Sequence, residues 1–394
     1  MRLKQNFVMI LILLGLLLTM SLGLSIKGKS NKVIDDTPEE EIVETIPSSF
    51  CKTINNADKV PNDVLDVIKN YIDDYYLSLY TLELQDTTKY FSDELEGRIS
   101  DLAIKFTIDS RKLYDFDFTM SDAYYILNII DCNNIDGKYK IDFLEDDYMC
   151  FKFLDGISSE SYDIENNIVI EKVDGEYKIS NYDKTQGYYM MFKDNKNENL
   201  DDVYDMYSKE LKFAVEREER YKQEALTTSY IASKSYSTKY DRDAASKYAQ
   251  TYYHSRNDNW YDFSEEGNCQ NFASQALIAG GMEMDYDGDE EDNEVWYYAN
   301  NGDYSSTWTG VPYFHKYCKG DYASLVTDVD INTYYAEPGD IIQVGISSVT
   351  HTTIVSKIVN GHILLNSNSI DMKDFPLEAY TYPVRKLIKI LGSE

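Results

Sequence analysis

Residues 265–281, EEGNCQNFASQALIAGG, constrain this chain more than any other stretch. Gly267 and Asn268 read as a turn and a helix N-cap. Phe272, Ala273, Ala276 and Leu277 recur at helical spacing, and Gly280-Gly281 end the run. A short helix with one apolar stripe must lay that stripe on a sheet or on other helices. The reading also places Cys269 at or beside the first helical position. Backbone N–H groups lack partners there, and the helix dipole favours an anion. Such a position can lower a thiol pKa from ~8.5 to about 3.5–7.5, and the thiolate is the form that attacks a carbonyl. Taken alone, a cysteine on a core helix is more often structural than catalytic; the residues that follow change the balance.

Glu337-Pro338-Gly339-Asp340 reads as a turn leading into a strand from Ile341. His351 opens a second strand, and alternation sets His351, Thr353 and Val355 on one face. A third strand runs from His362 into Asn366-Ser367-Asn368. A helix-borne Cys followed by strands carrying His and then an amide is the papain-like order of parts. In it His351 accepts the thiol proton and returns it to the leaving amine. Asn368 holds the imidazole through its other nitrogen, with Asn366 as the rival for that role. The Cys269 N–H is the natural first oxyanion donor; Asn259, Trp260 and Asn268 are candidates for the second, while Asn271 and Gln275 suit bonds to nearby loops.

The stretches YDRDAASKYAQTYYHSRNDNWYDF, NCQNFASQALIAGGM, WTGVPYF, PGDIIQV and HTTIVSKI resemble the putative amidase domain of Gram-positive secreted proteins, over about residues 239–382. The resemblance implies a papain-like fold related to NlpC-type and CHAP-type cell-wall peptidases, with Cys269 as nucleophile and His351 as base. The family usually has Asp before its Cys and Thr after it; here these are Asn268 and Gln270. It also commonly has His-Thr-x-Asp on the third strand, where this chain has Asn368-Ser369-Ile370-Asp371.

The rest of the chain divides by pattern. Residues 7–24 are apolar or small behind Arg2 and Lys4, which reads as a signal peptide or signal-anchor over residues 1–25. Residues 26–58 are polar and charged, and read as a tether. Residues 59–195 read as a small α+β domain with a nuclear-transport-factor-like layout. Val64, Val67, Ile68, Tyr71 and Ile72, and then Leu95, Ile99, Leu102, Ala103 and Phe106, keep helical spacing. Strand-like runs follow at 122–130, 138–143, 147–153, 167–171 and 177–182, with Asp136-Gly137 and Asp174-Gly175 as turns. Residues 196–237 read as a charged helical linker that includes Leu200, Val203, Tyr204, Leu211 and Phe213. Residues 238–394 form the amidase-like domain, so the fold class is α+β.

With 38 Lys+Arg against 69 Asp+Glu, the chain carries a net charge of −31. That excludes a nucleic-acid binder, which needs a basic stripe, and electrostatic adhesion to an anionic membrane. Membrane contact is expected only through an uncleaved N-terminal segment, and the location is secreted or cell-surface. The five Cys are too few for a disulfide scaffold, although Cys132 and Cys150 could meet across neighbouring strands. No cofactor or metal is expected: the spacing in residues 285–292 fails the EF-hand pattern, and His254, His315 and His362 read as structural. Trp296, Trp308 and Tyr313 suit a groove or a core equally. The expected partner is a peptide or amide substrate, with peptidoglycan the candidate polymer. Two functions remain: a cysteine-dependent amide hydrolase working through a thioester, or a degenerate scaffold that binds at the cell surface.

Overall fold

The computed structural model describes residues 46–394 except 186, 187, 233 and 266. The expected signal segment and most of the tether lie outside these residues. Residues 46–394 form one compact unit. Its strands are β1 (Cys51–Asn55), β2 (Met120–Ile135), β3 (Lys138–Phe151), β4 (Ser158–Val173), β5 (Glu176–Lys184), β6 (Thr238–Lys239), β7 (Tyr298–Asn300), β8 (Asp303–Tyr304), β9 (Leu325–Ile331), β10 (Ile341–Gly345), β11 (His351–Val359), β12 (His362–Ser367), β13 (Asp371–Pro376) and β14 (Val384–Ser393). Its α-helices are α1 (Asn62–Thr81), α2 (Glu94–Arg111), α3 (Tyr189–Asp194), α4 (Leu200–Thr227), α5 (Arg242–Tyr252), α6 (Cys269–Ala279), α7 (Ser306–Thr309) and α8 (Val311–Lys319).

The first half follows its periodicity. Val64, Ile68, Tyr71 and Ile72 of α1 and Ile99, Ala103 and Phe106 of α2 are buried against the sheet of β2–β5. Asp93 caps α2 by accepting from the amides of Leu95 and Glu96 at 2.9 and 3.0 Å. Both Asp-Gly pairs close hairpins with positive φ at each residue: 54° and 86° at Asp136-Gly137, 52° and 93° at Asp174-Gly175. The expected strands 138–143 and 147–153 are a single strand, β3, whose inward positions run unbroken through Ile141, Phe143, Glu145, Asp147, Met149 and Phe151. Glu145 and Asp147 make the middle of that inward face look polar, which is why the run reads as two pieces.

Three expectations are corrected. The tether does not extend to residue 58, because Cys51–Asn55 pairs in parallel with β2. Cys132 and Cys150 do not pair: their cross-strand partners on β2 and β3 are Ile141 and Asp122, and both thiols are free. Residues 196–237 are helical as expected over Leu200–Thr227, but α4 does more than join: it is tied to the C-terminal half by Arg217 donating to the Pro383 carbonyl (3.2 Å) and Asn332 donating to that of Tyr221 (2.9 Å). Its Phe213 faces solvent, 60% exposed, and lies off the buried stripe of Leu200, Val203, Leu211 and Ala214.

The two halves share one sheet. The first part of β4 pairs with β13 through Tyr162–Asp371, Ser161–Met372 and Glu160–Lys373, whereas its later part pairs with β5. The order β1-β2-β3-β4-β13-β12-β11-β10-β14 therefore runs through both. In the C-terminal half, α5, α6 and α8 cover one face of the sheet over Ile341, Ile354, Ile388 and Ile390. The opposite face carries Ile342, Val344, Val355, Leu365, Phe375 and Tyr380.

Candidate active site

Cys269 is the first residue of α6, and the residue before it, Asn268, has αR geometry without a side-chain cap. The expected Asn cap is thus absent. The sulfur itself faces the donors of this helix start: the amides of Gln270 and Cys269, together with the Thr352 amide and the Ser369 hydroxyl. The Thr352 amide is available because β12 pairs with β11 only as far as Ile354–Asn366. Beyond that point the strand edge is open, and the thiol fills the gap left by the missing strand partner.

Gln270 holds this junction together. Its side-chain oxygen accepts from Thr352 Oγ1 at 2.8 Å and from Gln343 Nε2 at 3.3 Å, and all three side chains are fully buried. A buried amide bonded on two strands fixes the helix start against β10 and β11. Departure from the family's Thr at this position is therefore structural in effect.

His351 adjoins Thr352 in β11 and pairs with Val344 of β10. Its side chain lines a cavity of about 300 Å³ on the face away from α6. Burial pulls its imidazole down from 6.5 to about 4, so the ring is neutral at pH 7. Among the described residues no hydrogen-bond partner holds it. Burial also pushes the Cys269 thiol up, outweighing the amides and the hydroxyl that favour its charged form. The expected lowering by the helix start is present but is not the largest effect. At rest the thiol is protonated and the imidazole neutral, and among the described residues no hydrogen bond joins them. Tyr380 lines the same cavity, and its hydroxyl bonds Met372 Sδ at 3.0 Å.

Asn368 is placed elsewhere. Its Nδ2 donates to the carbonyls of Tyr252 and Tyr253 at 3.0 and 3.3 Å, and its Oδ1 accepts from Asn268 Nδ2 at 2.5 Å. No bond runs from it to His351, so the imidazole-orienting role is not met in this geometry. Asn366 is equally committed, donating to the Ala249 carbonyl (3.1 Å) and accepting from the Asp374 amide (2.8 Å). Asn268 and Asn368 are the positions where the family pattern has Asp and His, and they touch each other. In this chain two neutral amides meet at these positions. Two departures that look independent in the sequence are one contact in space.

The other candidates are accounted for. Asn268 Oδ1 accepts from the Phe263 amide and from Asn271 Nδ2 (2.7 Å), while the Asn259 amide serves a local turn with Asn257. Asn271 reaches the Tyr261 carbonyl, and Gln275 accepts from Tyr248. Trp296 and Trp308 are fully buried, whereas Tyr313 is exposed. His315 meets Gln343 and Asp330, and His362 meets Glu378. His254, Asp163 and Asp371 could offer three ligand atoms to a metal, but Arg256 already bonds Asp371 at 3.0 Å, and a cation beside a cation is unfavourable. Sequence reasoning missed Thr352, whose contribution is a backbone amide and so carries no side-chain signal. Ser369 was legible in part, because it keeps a hydroxyl where the family has Thr.

Residues 239–390 match the family model described as a putative amidase domain. This match supports a hydrolase acting on amide C–N bonds. The chain is 31% identical over 138 residues to the uncharacterized protein YhbB of Bacillus subtilis (strain 168), an overlap of 34% of this chain and 43% of that protein. The chain therefore spans less than half the length of this relative. No solved structure matches the chain. Among the described residues, no helix is long and apolar enough to cross a membrane.

Proposed function

We propose that residues 238–394 are a papain-like cysteine hydrolase that cleaves an amide bond through a thioester. One observation carries the reading: the Cys269 sulfur, at a helix start, meets the amide of Thr352, the neighbour of His351. In this reading neutral His351, whose ring makes no hydrogen bond to the sulfur at rest, turns toward it and takes the thiol proton as the sulfur attacks the carbonyl carbon. The amides of Cys269, Gln270 and Thr352 stabilise negative charge at and beside the sulfur as it forms. The imidazolium then protonates the leaving amine, and the tetrahedral intermediate collapses to an acyl thioester. Water, deprotonated by the same imidazole, releases the acid and restores the thiol. The apolar run at residues 7–24 supports export, and peptide stems of the cell wall are the proposed substrate outside the membrane.

Cys269→Ala and iodoacetamide treatment test this. Each, with the iodoacetamide applied at alkaline pH because burial raises the thiol, should abolish turnover of cell-wall or simple peptide amides; full activity after both overturns the reading.

A second reading is supported by the raised thiol and by the commitment of Asn368 to other partners. In it the same scaffold is catalytically silent and binds a surface ligand. Saturable binding of cell-wall fragments with no turnover, unchanged by Cys269→Ala, would favour it.

A further inference from the structure

The cavity that His351 lines has a second wall, built by the N-terminal half: Arg111, at the end of α2, Asp147 on β3 and Tyr188, just before α3. All three are buried, with exposures of 4%, 2% and 7%. Each leaves one polar atom without a partner among the described residues: Arg111 Nε, Asp147 Oδ1 and the Tyr188 hydroxyl. Arg111 has only a long bond, 3.4 Å from Nη1 to the Leu79 carbonyl, and two aromatic faces, Phe118 and Phe151. Asp147 is held by the hydroxyl and amide of Ser161, and it makes no ion pair with Arg111. Elsewhere in this half, buried charge is paired closely: Lys184 with Glu145 at 3.0 Å and Lys193 with Glu96 at 2.6 Å.

Buried polar groups in folded proteins are nearly always satisfied, and an unpaired buried charge is costly. Three orphaned atoms of complementary character around one cavity that also holds the proposed base mark a site built for a ligand rather than a packing fault. A guanidinium beside a phenol suits a carboxylate, which accepts from both. A carboxyl across the same space suits an amine or amide N–H.

We propose that this wall is a recognition site for a carboxylate-bearing peptide residue, with its carboxylate on Arg111 and Tyr188 and its nitrogen facing Asp147. The N-terminal half would then be part of the substrate site, selecting short peptides by a free carboxyl end near the bond attacked. This rests on the hydrolase reading for its placement of the scissile bond, but the binding step is separable from it.

The test uses the full chain carrying Cys269→Ala, so that binding is read without turnover. Calorimetry compares a panel of dipeptides bearing free C-terminal carboxylates with the same dipeptides as C-terminal carboxamides. The carboxylates should bind about tenfold tighter or more, the scale of a charge-assisted hydrogen bond. Adding Arg111→Met should erase that difference, with folding checked by the thermal melt because Asp147 then loses the nearby guanidinium. Arg111→Lys, which keeps the charge but loses the planar fork, should retain a reduced preference. Equal binding of the two series, no saturable binding by any dipeptide, or a preference that survives Arg111→Met overturns the proposal; so does a preference left intact by Arg111→Lys should the Met variant fail to fold. A chain that shows the preference but never hydrolyses an amide sinks the hydrolase reading alone, and one that hydrolyses amides without the preference sinks this proposal alone.

Discussion

The protonation state of the resting pair gives the sharpest prediction. His351 falls from 6.5 to about 4 through burial, a difference of about 2.5 units. At about 1.4 kcal/mol per unit, the folded chain disfavours the imidazolium by roughly 3 kcal/mol; this is an upper figure, since water can enter the cavity beside the ring. A base whose folded pKa is depressed binds fewer protons folded than unfolded. Stability is therefore complete above about pH 6.5 and is lost as pH falls toward about 4. Asp147 works in the opposite sense: burial, and then the Glu145 charge, raise it to about 7, so its share of stability falls as pH rises from about 4 to 7. Comparing urea unfolding of the wild type with His351→Ala at each pH cancels the Asp147 contribution. The wild type should lose up to about 3 kcal/mol more than the variant between pH 6.5 and 4. In activity, kcat/KM should rise with an apparent pKa near 4 and stay flat through neutrality. Alkylation of Cys269 by iodoacetamide should climb only above the ordinary thiol range, because burial raises that thiol. An acidic limb centred near 6.5, or an alkylation plateau already reached below pH 7, would mean a standing thiolate–imidazolium pair and would refute the argument.

Two further predictions concern the frame around the site. Asn368→Ala strips a buried partner from Asn268 and part-buried ones from two carbonyls, and should cost about 2–4 kcal/mol by chemical denaturation: about 1–3 kcal/mol for the buried group and less for each carbonyl that water can reach. A double-mutant cycle with Asn268→Ala should show coupling of roughly 0.5–3 kcal/mol, while the acidic limb of the rate profile stays in place, as it would not if Asn368 oriented His351. Lys184→Met leaves Glu145 buried without its cation, since Lys184 spans both carboxylate oxygens at 3.0 Å. Its expected cost is about 3–5 kcal/mol, recovered in large part by adding Glu145→Gln; equal stability of the single and double variants in thermal melts would count against the pair.

Periodicity and turn chemistry determined much of this protein without help from tertiary structure. The α1 stripe, the two Asp-Gly hairpins, the Cys269 helix and the strand opening at His351 are local patterns, set by 3.6-residue and two-residue repeats and by residues that accept positive φ. The amidase-type segment was legible for the same reason: its motif residues lie close together along the chain. What folding alone decided involves pairs far apart in sequence. The joining of β4 to β13 depends on two strand edges more than 200 residues apart, and no composition shift announces it. Asn268 meeting Asn368 depends on where the start of α6 and the end of β12 converge. The Cys269 thiol is set by burial against backbone donors, and burial is a property of the packed whole. Arg111 and Asp147 read locally as a helix end and a strand interior, and only the assembled fold turns them toward the cavity of His351.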